Sequence, residues 1–297
     1  MARRALSRPE GPVARRTPPP HDAWRDDLWT GEIRLRLETG PGQYVSPGSG
    51  RLGLVPVGSE DVVVQRAATF AGAPAVPGSG IKGAVRTLYE LLSFSCNPLA
   101  GSACRPQDCC DACAVFGVLG YAGRVGFTDA RPQPPNAAHV EVQKVPIPWT
   151  PDPSKTAGDF RLYDLEEATT FEKGRKTPQP APKKLSREVF VGAFETRMTF
   201  WNLEPQELGR VLLAMGVGAD EATRFPLRLG GVKYDGKGAV TVSPHRLRLA
   251  RPEPRDREGE AYGAEQARWI EAARISPWAG PFWPKLLELA AILRPQR

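Results

Sequence analysis

The sequence is poor in the residues on which common hydrolytic mechanisms depend. It has only three histidines, His21, His139 and His245, and none lies in a motif typical of hydrolases. A serine or cysteine nucleophile needs a neighbouring base, usually histidine, so a Ser/His or Cys/His mechanism is not expected. Any catalysis by this chain would therefore depend on a carboxylate.

Long apolar runs are also lacking. No stretch approaches the roughly 20 apolar residues that a membrane-spanning helix needs, and the N-terminus lacks the apolar core of a secretory signal. These absences predict a soluble cytoplasmic protein with no membrane partner. The chain has 297 residues, of which 41% are hydrophobic, and this is enough to bury a sizeable core.

Positive charge outweighs negative charge. The chain has 40 Lys and Arg against 33 Asp and Glu, and the resulting net charge of +7 favours a polyanionic partner. Within residues 1–28, five arginines precede three consecutive prolines, and almost nothing apolar is available to bury. Such a segment cannot offset its ordering entropy, so we interpret it as a flexible basic arm.

All five cysteines lie in one short segment: Cys96, Cys104, Cys109, Cys110 and Cys113. Disulfide frameworks usually spread along small secreted domains, so this clustering favours a metal site. The pair Cys110-x-x-Cys113 forms a tight chelate for tetrahedral zinc, Cys96 and Cys104 complete the set, and Cys109 is an alternative to Cys110. Four thiolates leave no open position, so the zinc would be structural. Free buried thiols are the other interpretation.

Apolar periodicity predicts the order of strands and helices. In the first strand, Ile33, Leu35 and Leu37 alternate with two arginines, so one face is buried and the other is cationic. The predicted elements are strands near 31–38, 125–129, 194–200 and 240–242, helices that begin at Ser79 and Pro205, and two short helices within 262–293 that are broken at Pro277 to Pro284. The order β-α-β, insertion, β-α-β predicts an α+β protein with a modified ferredoxin-like fold, as in RNA-recognition modules.

These elements divide the chain into three parts. Residues 1–28 are the arm, 29–255 the main domain and 256–297 a C-terminal helical segment. Within the main domain, residues 96–113 form the zinc loop, and the Pro- and Lys-rich residues 131–188 form an insertion with one hairpin.

Residues 77–83 form a glycine-rich turn in which Ser79 is the expected helix cap. The glycines satisfy G-x-G-x-x-G, but no convincing strand precedes them and no acidic residue stands about 20 positions later, which argues against a dinucleotide site. Gly83 after Lys82 argues against a P-loop. The turn can still present backbone N–H groups, a helix dipole and Lys82 to a phosphate, with Arg86 on the same helix face. The alternative is that the glycines only let the helix pack tightly.

The segment from Pro77 to Arg86 resembles the characteristic turn and helix of the repeat-associated mysterious protein (RAMP) superfamily, the backbone subunits of type III CRISPR complexes. Further segments agree in order, at 37–40, 115–117, 123–130, 192–200 and 229–238. The resemblance covers residues 30 to 245, and some relatives carry comparable zinc loops.

This resemblance implies a protein that binds CRISPR RNA and target RNA in a filament with other type III CRISPR subunits. The insertion 131–188 would supply the hairpin that kinks the guide–target duplex. The residues expected to bind RNA are Ser79, Lys82, Arg86, Lys233 and Lys237.

The resemblance also implies a candidate catalytic residue, Asp61. Relatives that cleave target RNA use an aspartate between the first strand and the glycine turn, just before an extended segment, and here residues 62–66 follow Asp61. Magnesium is the expected cofactor of such cleavage. The departures are Val63, where relatives often have proline, and Gln43 and Tyr44, where they have a histidine.

Three alternatives remain at this point. Asp61 is an ordinary carboxylate beside Glu60; the chain is a non-catalytic RAMP subunit that caps the filament; or it is an unrelated zinc-stabilised nucleic-acid-binding protein.

Overall fold

The computed structural model describes residues 3–7, 11–96, 103–146, 159–163, 184–251 and 253–294. The strands are β1 (Arg3–Ser7), β2 (Arg15–Arg16), β3 (Trp29–Thr39), β4 (Gly48–Val57), β5 (Glu60–Ala67), β6 (Thr69–Phe70), β7 (Ala73–Pro74), β8 (Cys109–Cys110), β9 (Gly117–Val118), β10 (Tyr121–Ala122), β11 (Val125–Phe127), β12 (Arg131–Pro132), β13 (Ala138–Pro146), β14 (Asp159–Tyr163), β15 (Lys184–Leu203), β16 (Leu227–Arg228), β17 (Ala239–Arg251) and β18 (Arg255–Glu258). The α-helices are α1 (Gly78–Leu91), α2 (Asp111–Phe116), α3 (Pro205–Ala214), α4 (Gly259–Ile275) and α5 (Ala279–Leu293), and two 3-10 helices span Glu221–Thr223 and Lys233–Asp235. The predicted α+β class is confirmed.

The largest sheet is built around the long strand β15. Its main path runs β16-β17-β3-β15-β5-β4, and β11, β12 and β13 also pair with β15. Strand β3 is antiparallel to both β17 and β15, and β11 is antiparallel to β15. Ile33 lies opposite Met198 and Leu37 opposite Phe194, and all four are buried because alternate side chains of a strand share one face.

The opposite face of this sheet carries paired charges. Arg197 contacts Glu32 at 3.4 Å, Arg34 contacts Glu195 at 3.5 Å and Arg36 contacts Glu38 at 3.3 Å. The predicted alternation of β3 puts its two arginines on this face, but two glutamates of β3 and Glu195 of β15 offset their charge, so the face is not cationic overall. Alternation along β15 also places the partly buried Trp201 on the side of Arg197, and its ring centre lies 5.5 Å from that of Trp24.

The helices cover the buried face. The predicted apolar side of α1 is confirmed, since Ile81, Val85 and Leu88 are buried. Helix α3 begins at Pro205, as predicted, because the first turn of a helix needs no N–H donor. Trp269 of α4 is fully buried, so the C-terminal segment contributes to the main core.

The predicted break between the two C-terminal helices, from Pro277 to Pro284, is wrong in extent. Helix α4 ends at Ile275, and α5 already begins at Ala279 and contains Pro284. Pro281 lies in the first turn of α5, where the missing N–H costs no helical hydrogen bond. Pro277 therefore lies in the break, whereas Pro281 and Pro284 lie within α5, and the break is shorter than predicted.

A hairpin of β4 and β5 occupies the region between the first strand and the glycine turn. The two strands are antiparallel, with Leu54 opposite Val63 and Pro56 opposite Asp61. Gly58 makes the turn with φ of 65°, a conformation that glycine adopts at little cost. The sequence predicts only a short extended segment here, and the hairpin is longer than this.

Residues 11–28 lie against the main domain, in contrast with the free arm expected for 1–28. Strand β2 pairs with β8, the Tyr121 hydroxyl donates to the carbonyl of Pro19 at 2.9 Å, and the Asn202 amide donates to that of Ala23 at 2.9 Å. The partners come from distant sequence, which composition cannot reveal. The division at residue 28 stays a prediction.

The insertion 131–188 is described only in part. Strand β13 pairs with β15 from Ala138 opposite Gly192 to Pro146 opposite Lys184. These two strands have the pairing of a hairpin stem, but residues 147–158 and 164–183 lie outside the described residues. In the described part of the chain, no helix is both long and apolar enough to cross a membrane.

Candidate metal centre and nucleic-acid interface

Four cysteines converge on one point. The Sγ atoms of Cys96, Cys104, Cys110 and Cys113 all lie within 4.8 Å of one another, and all four residues are buried. Tetrahedral zinc with Zn–S bonds of about 2.3 Å needs sulfurs about 3.8 Å apart, and the Sγ atoms of Cys96 and Cys113 are 3.6 Å apart. This cluster could hold a metal ion such as zinc, in a closed set of four ligands.

Cys109 points away from this cluster. Its Sγ donates to the carbonyl of Arg105 at 3.1 Å and lies 3.7 Å from that of Pro106. Cys109 and Cys110 form β8, and neighbouring residues of a strand project to opposite sides, so only one of the two can join the cluster. Of the two, Cys110 is the one placed to be a ligand.

The cluster is chemically suited to a cation. The hydrogen bond with Cys113 lowers the pKa of Cys110 to about 4, the same bond raises the pKa of Cys113, and burial raises the pKa of Cys96 to about 12. Without a metal, Cys110 therefore loses its thiol proton more readily than Cys113 does. Zinc binding requires thiolates and would release these protons, so the free energy of binding would stabilise the fold.

The turn before α1 is fixed by an aspartate and not by Ser79. Pro77 is the N-cap, and the N–H of Gly78 donates to Oδ1 of Asp129 at 2.9 Å. The prediction that Ser79 caps the helix is therefore wrong, because the carboxylate of Asp129, just after β11, takes that role. Ser79 lies exposed in the first turn.

The glycines of this turn differ in their surroundings. A Cβ on Gly78 would lie 2.2 Å from the carbonyl oxygen of Phe127, whereas a Cβ on Gly80 or Gly83 would meet nothing within 4 Å. Tight packing therefore explains Gly78 alone. Gly80 and Gly83 leave open backbone beside Ser79, which a ligand can approach.

Lys82 and Arg86 lie against the same loop, residues 117–123. The Lys82 amine rests on Gly123, where an added Cβ would be 2.7 Å from Nζ. Burial and then the charge of Arg86 lower the pKa of Lys82, and its amine makes no hydrogen bond or ion pair within the described ranges. Arg86 instead donates to Glu90 at 2.7 Å and to the carbonyl of Gly117 at 3.0 Å.

Lys233 and Lys237 lie in a second place. It is the glycine loop, residues 229–238, which packs on residues 42–46. Lys237 donates to the carbonyl of Gly42 at 3.1 Å, and its amine is 5.7 Å from the ring centre of Tyr44. Burial, followed by the nearby charge of Arg228, lowers the pKa of Lys233. The five predicted RNA-binding residues thus form two groups, one at the start of α1 and one at this loop.

Asp61 is exposed on β5, next to the hairpin turn. It projects from the same side of the hairpin as Leu54 and Val63, which are also exposed. Its carboxylate has no hydrogen bond or ion pair with any residue the structure describes. In that part of the chain the cysteine cluster is the only group of three or more potential metal ligands, and Asp61 belongs to no such group.

A buried ion pair near residues 96–113 is not among the features predicted from the sequence. Arg124 Nη1 donates to Glu207 Oε2 at 2.9 Å, and Arg16 from the N-terminal segment reaches the same carboxylate. Glu207 also accepts from the N–H of Glu204 at 2.9 Å, which closes a capping box at the start of α3. The capping box follows a local pattern and was detectable, but the arginines come from distant sequence.

Comparison with known families agrees with this geometry. The family model described as the RAMP superfamily matches residues 43–261, well over half of the chain. Among curated proteins, none matches this sequence. The matched range includes the β4–β5 hairpin, the α1 turn, the cysteine cluster and the glycine loop. The chain belongs to the RAMP superfamily.

Proposed function

We propose that this protein is a CRISPR RNA-binding backbone subunit of a type III effector complex. Membership of the RAMP superfamily supports a CRISPR-associated, RNA-binding role. The observation that carries the proposal is Lys82, a cation at the start of α1 that has no partner among the described residues and stands beside the open backbone of Gly80 and Gly83. Phosphate binding at a helix N-terminus uses these elements together.

Guide RNA would contact both basic groups of the protein. Ser79 and Lys82 would bind phosphate at the α1 turn, and Lys233 and Lys237 would bind it at the glycine loop. A phosphate contact by Arg86 stays a prediction, and its internal hydrogen bonds favour a different role. Backbone contacts of this kind give affinity, while base pairing by the guide gives specificity.

The proposed fold is a modified ferredoxin-like one. It is supported by the antiparallel order β17-β3-β15-β11, with α1 between β3 and β11 in sequence and α3 between β15 and β17. The stem of β13 and β15 would carry the hairpin that kinks the guide–target duplex. Other type III subunits would lie at either end of this chain in the filament.

We also propose that Asp61 cleaves target RNA with magnesium. This second activity rests on the position of Asp61 between the first strand and the glycine turn, and its exposed carboxylate, which has no partner among the described residues, is open to a metal ion. Magnesium is commonly held by one or two carboxylates together with substrate phosphates and water, so a single aspartate is compatible with it. The competing possibility is a non-catalytic subunit that caps the filament.

Co-purification from cells tests the proposal. The tagged chain would be expressed with a CRISPR array and its neighbouring subunits, and the bound RNA would be sequenced. We expect RNA that carries repeat sequence to be enriched, with less recovered for Lys82→Gln than for Lys285→Gln, a matched change at the α5 lysine that pairs with Glu288. Bound RNA without enrichment of repeat sequence would contradict the proposal.

A further inference from the structure

Arg86 links the helix of the glycine turn to the cysteine cluster. Its Nη2 donates to the Sγ of Cys113 at 3.5 Å, while Nη1 holds the carbonyl of Gly117 and Nε holds Glu90. The side chain is only 31% exposed. All three nitrogen atoms of its guanidinium therefore donate hydrogen bonds within the protein, and one of these bonds goes to a candidate metal ligand.

Arg15, from the N-terminal segment, lies next to the cysteine cluster. Strand β2 sets Arg15 opposite Cys110, and its guanidinium donates to the carbonyl of Ala103, next to Cys104, at 3.4 Å. It also pairs with Asp108 at 3.2 Å. The hydrogen bond to Asp108 and then the charge of Cys104 raise the pKa of Arg15.

Backbone donors complete this surrounding shell. The N–H of Cys110 points to the Sγ of Cys104 at 3.2 Å, and the N–H of Cys96 points to the Sγ of Cys110 at 3.5 Å. Each thiolate that accepts such a bond becomes a weaker electron donor and a better-solvated anion. Four thiolates around a divalent cation carry a net charge of −2, which a buried site must offset.

We propose that Arg86 and Arg15 are the outer-sphere cations of a tetrathiolate metal site. Arg86 orients Cys113 and offsets the negative charge directly, and Arg15 acts on the side of Cys104 and Cys110. This inference rests on the candidate metal site formed by the four cysteines and not on the proposed RNA binding. It gives Arg86 a positioning role in place of a phosphate contact, and it makes the N-terminal segment part of the metal site.

A simpler explanation for the position of Arg86 is an ordinary surface ion pair with Glu90, and this must be excluded. Arg86 and Glu90 are four residues apart on α1, and such pairs contribute little to stability. That explanation accounts for the contact with Glu90 but not for those with Gly117 and Cys113. Arg274 provides the matched control, since it pairs with Glu271 on its own helix α4.

The test measures metal binding by the full chain. Zinc affinity would be determined by competition with a chromogenic chelator for wild type, Arg86→Gln, Arg86→Lys, Arg15→Gln and Arg274→Gln. Loss of an outer-shell partner typically weakens metal affinity about 10- to 100-fold, and we expect this range for Arg86→Gln. Arg86→Lys should recover part of the loss, Arg15→Gln should lose less, and Arg274→Gln should match wild type.

Cobalt substitution supplies a readout that a purely structural role would not change. Removing the donor to Cys113 makes its sulfur a stronger electron donor, so the sulfur-to-cobalt charge-transfer band of Arg86→Gln should move to lower energy. Unchanged affinity and an unchanged band in Arg86→Gln would overturn the inference. If Arg86→Gln does not fold, Arg15→Gln and Arg86→Lys decide it by the same measurements. Wild type that takes up neither metal would instead contradict the metal site itself.

Discussion

Arg124 and Glu207 form an ion pair that is closed to solvent, with Nη1 of Arg124 2.9 Å from Oε2 of Glu207 and side-chain exposures of 1% and 0%. The pair joins the residue just before β11 to the first turn of α3. Because Arg16 reaches the same carboxylate, the N-terminal segment is held to this point as well. The fold around the metal loop therefore depends on one buried carboxylate.

Glu207→Ala should lower the free energy of unfolding by about 3–5 kcal/mol, because removing one partner leaves the other charge buried without compensation. Urea denaturation of wild type and variant measures this. Glu271→Ala breaks an exposed pair with Arg274 and should change stability little. Equal effects of the two substitutions would contradict the role assigned to Glu207.

The contribution of Glu207 should also depend on pH. Burial opposes ionisation, but the charges of Arg124 and Arg16 and the hydrogen bonds outweigh it and hold the pKa of Glu207 below its ordinary value. A lowered folded-state pKa stabilises the fold above the unfolded value of about 4.3, and this stability is lost as pH falls through the folded pKa. The stability difference between wild type and Glu207→Gln should be full above about pH 5 and shrink in more acidic buffer.

Elemental analysis should find one zinc per chain. The expected ligands are Cys96, Cys104, Cys110 and Cys113. Cys110→Ser should lose the metal because its Sγ lies in the cluster, whereas Cys109→Ser should keep it because that sulfur faces the carbonyl of Arg105. Removing zinc from wild type should lower its melting temperature, since metal binding contributes to folding. Metal retained by Cys110→Ser and lost by Cys109→Ser would reverse the ligand assignment.

The parts of this structure that local pattern controls could be predicted from the sequence. Strand β3 follows from the alternation of Ile33, Leu35 and Leu37, and the apolar side of α1 follows from helical spacing. The convergence of the cysteines was indicated by their clustering in sequence, because two of the four candidate ligands form a C-x-x-C pair and the others are near in the chain.

The parts that failed depend on distant residues. The cap of α1 comes from Asp129, 51 residues from Gly78, so no local signal could name it. The choice between Cys109 and Cys110 is made by the side of β8 that faces the cluster. The docking of residues 11–28 needs Glu207 and Asn202, which come nearly two hundred positions later in the chain.

The glycines of the α1 turn should separate packing from ligand approach. Gly78→Ala should destabilise the protein, because its Cβ would collide with the carbonyl of Phe127. Gly83→Ala should leave stability unchanged or raise it by up to about 1 kcal/mol, since alanine is the better helix former. Gly80→Ala should lower RNA affinity without unfolding the protein. Thermal melts and RNA-binding titrations give both quantities. Full RNA affinity in Gly80→Ala would argue against close approach of a phosphate.

Asp61→Asn should abolish cleavage of target RNA by the assembled complex while guide RNA remains bound. The substitution removes a metal-binding charge but leaves the fold, because the residue is exposed and its carboxylate makes no contact in the described structure. Glu60→Gln, at the adjacent exposed position, should keep activity. Omitting magnesium should reproduce the Asp61 variant. Cleavage that survives in Asp61→Asn would assign the chemistry to another residue.

The central claim is that the start of α1 binds the phosphates of RNA, and titration of Lys82→Gln with guide RNA over a range of salt concentrations tests it most directly. Each phosphate contact to single-stranded nucleic acid contributes about 0.7 to the slope of log affinity against log salt. We expect weaker binding and a slope smaller by about that amount for Lys82→Gln, with Lys285→Gln unchanged. Wild-type affinity and slope in Lys82→Gln would contradict it.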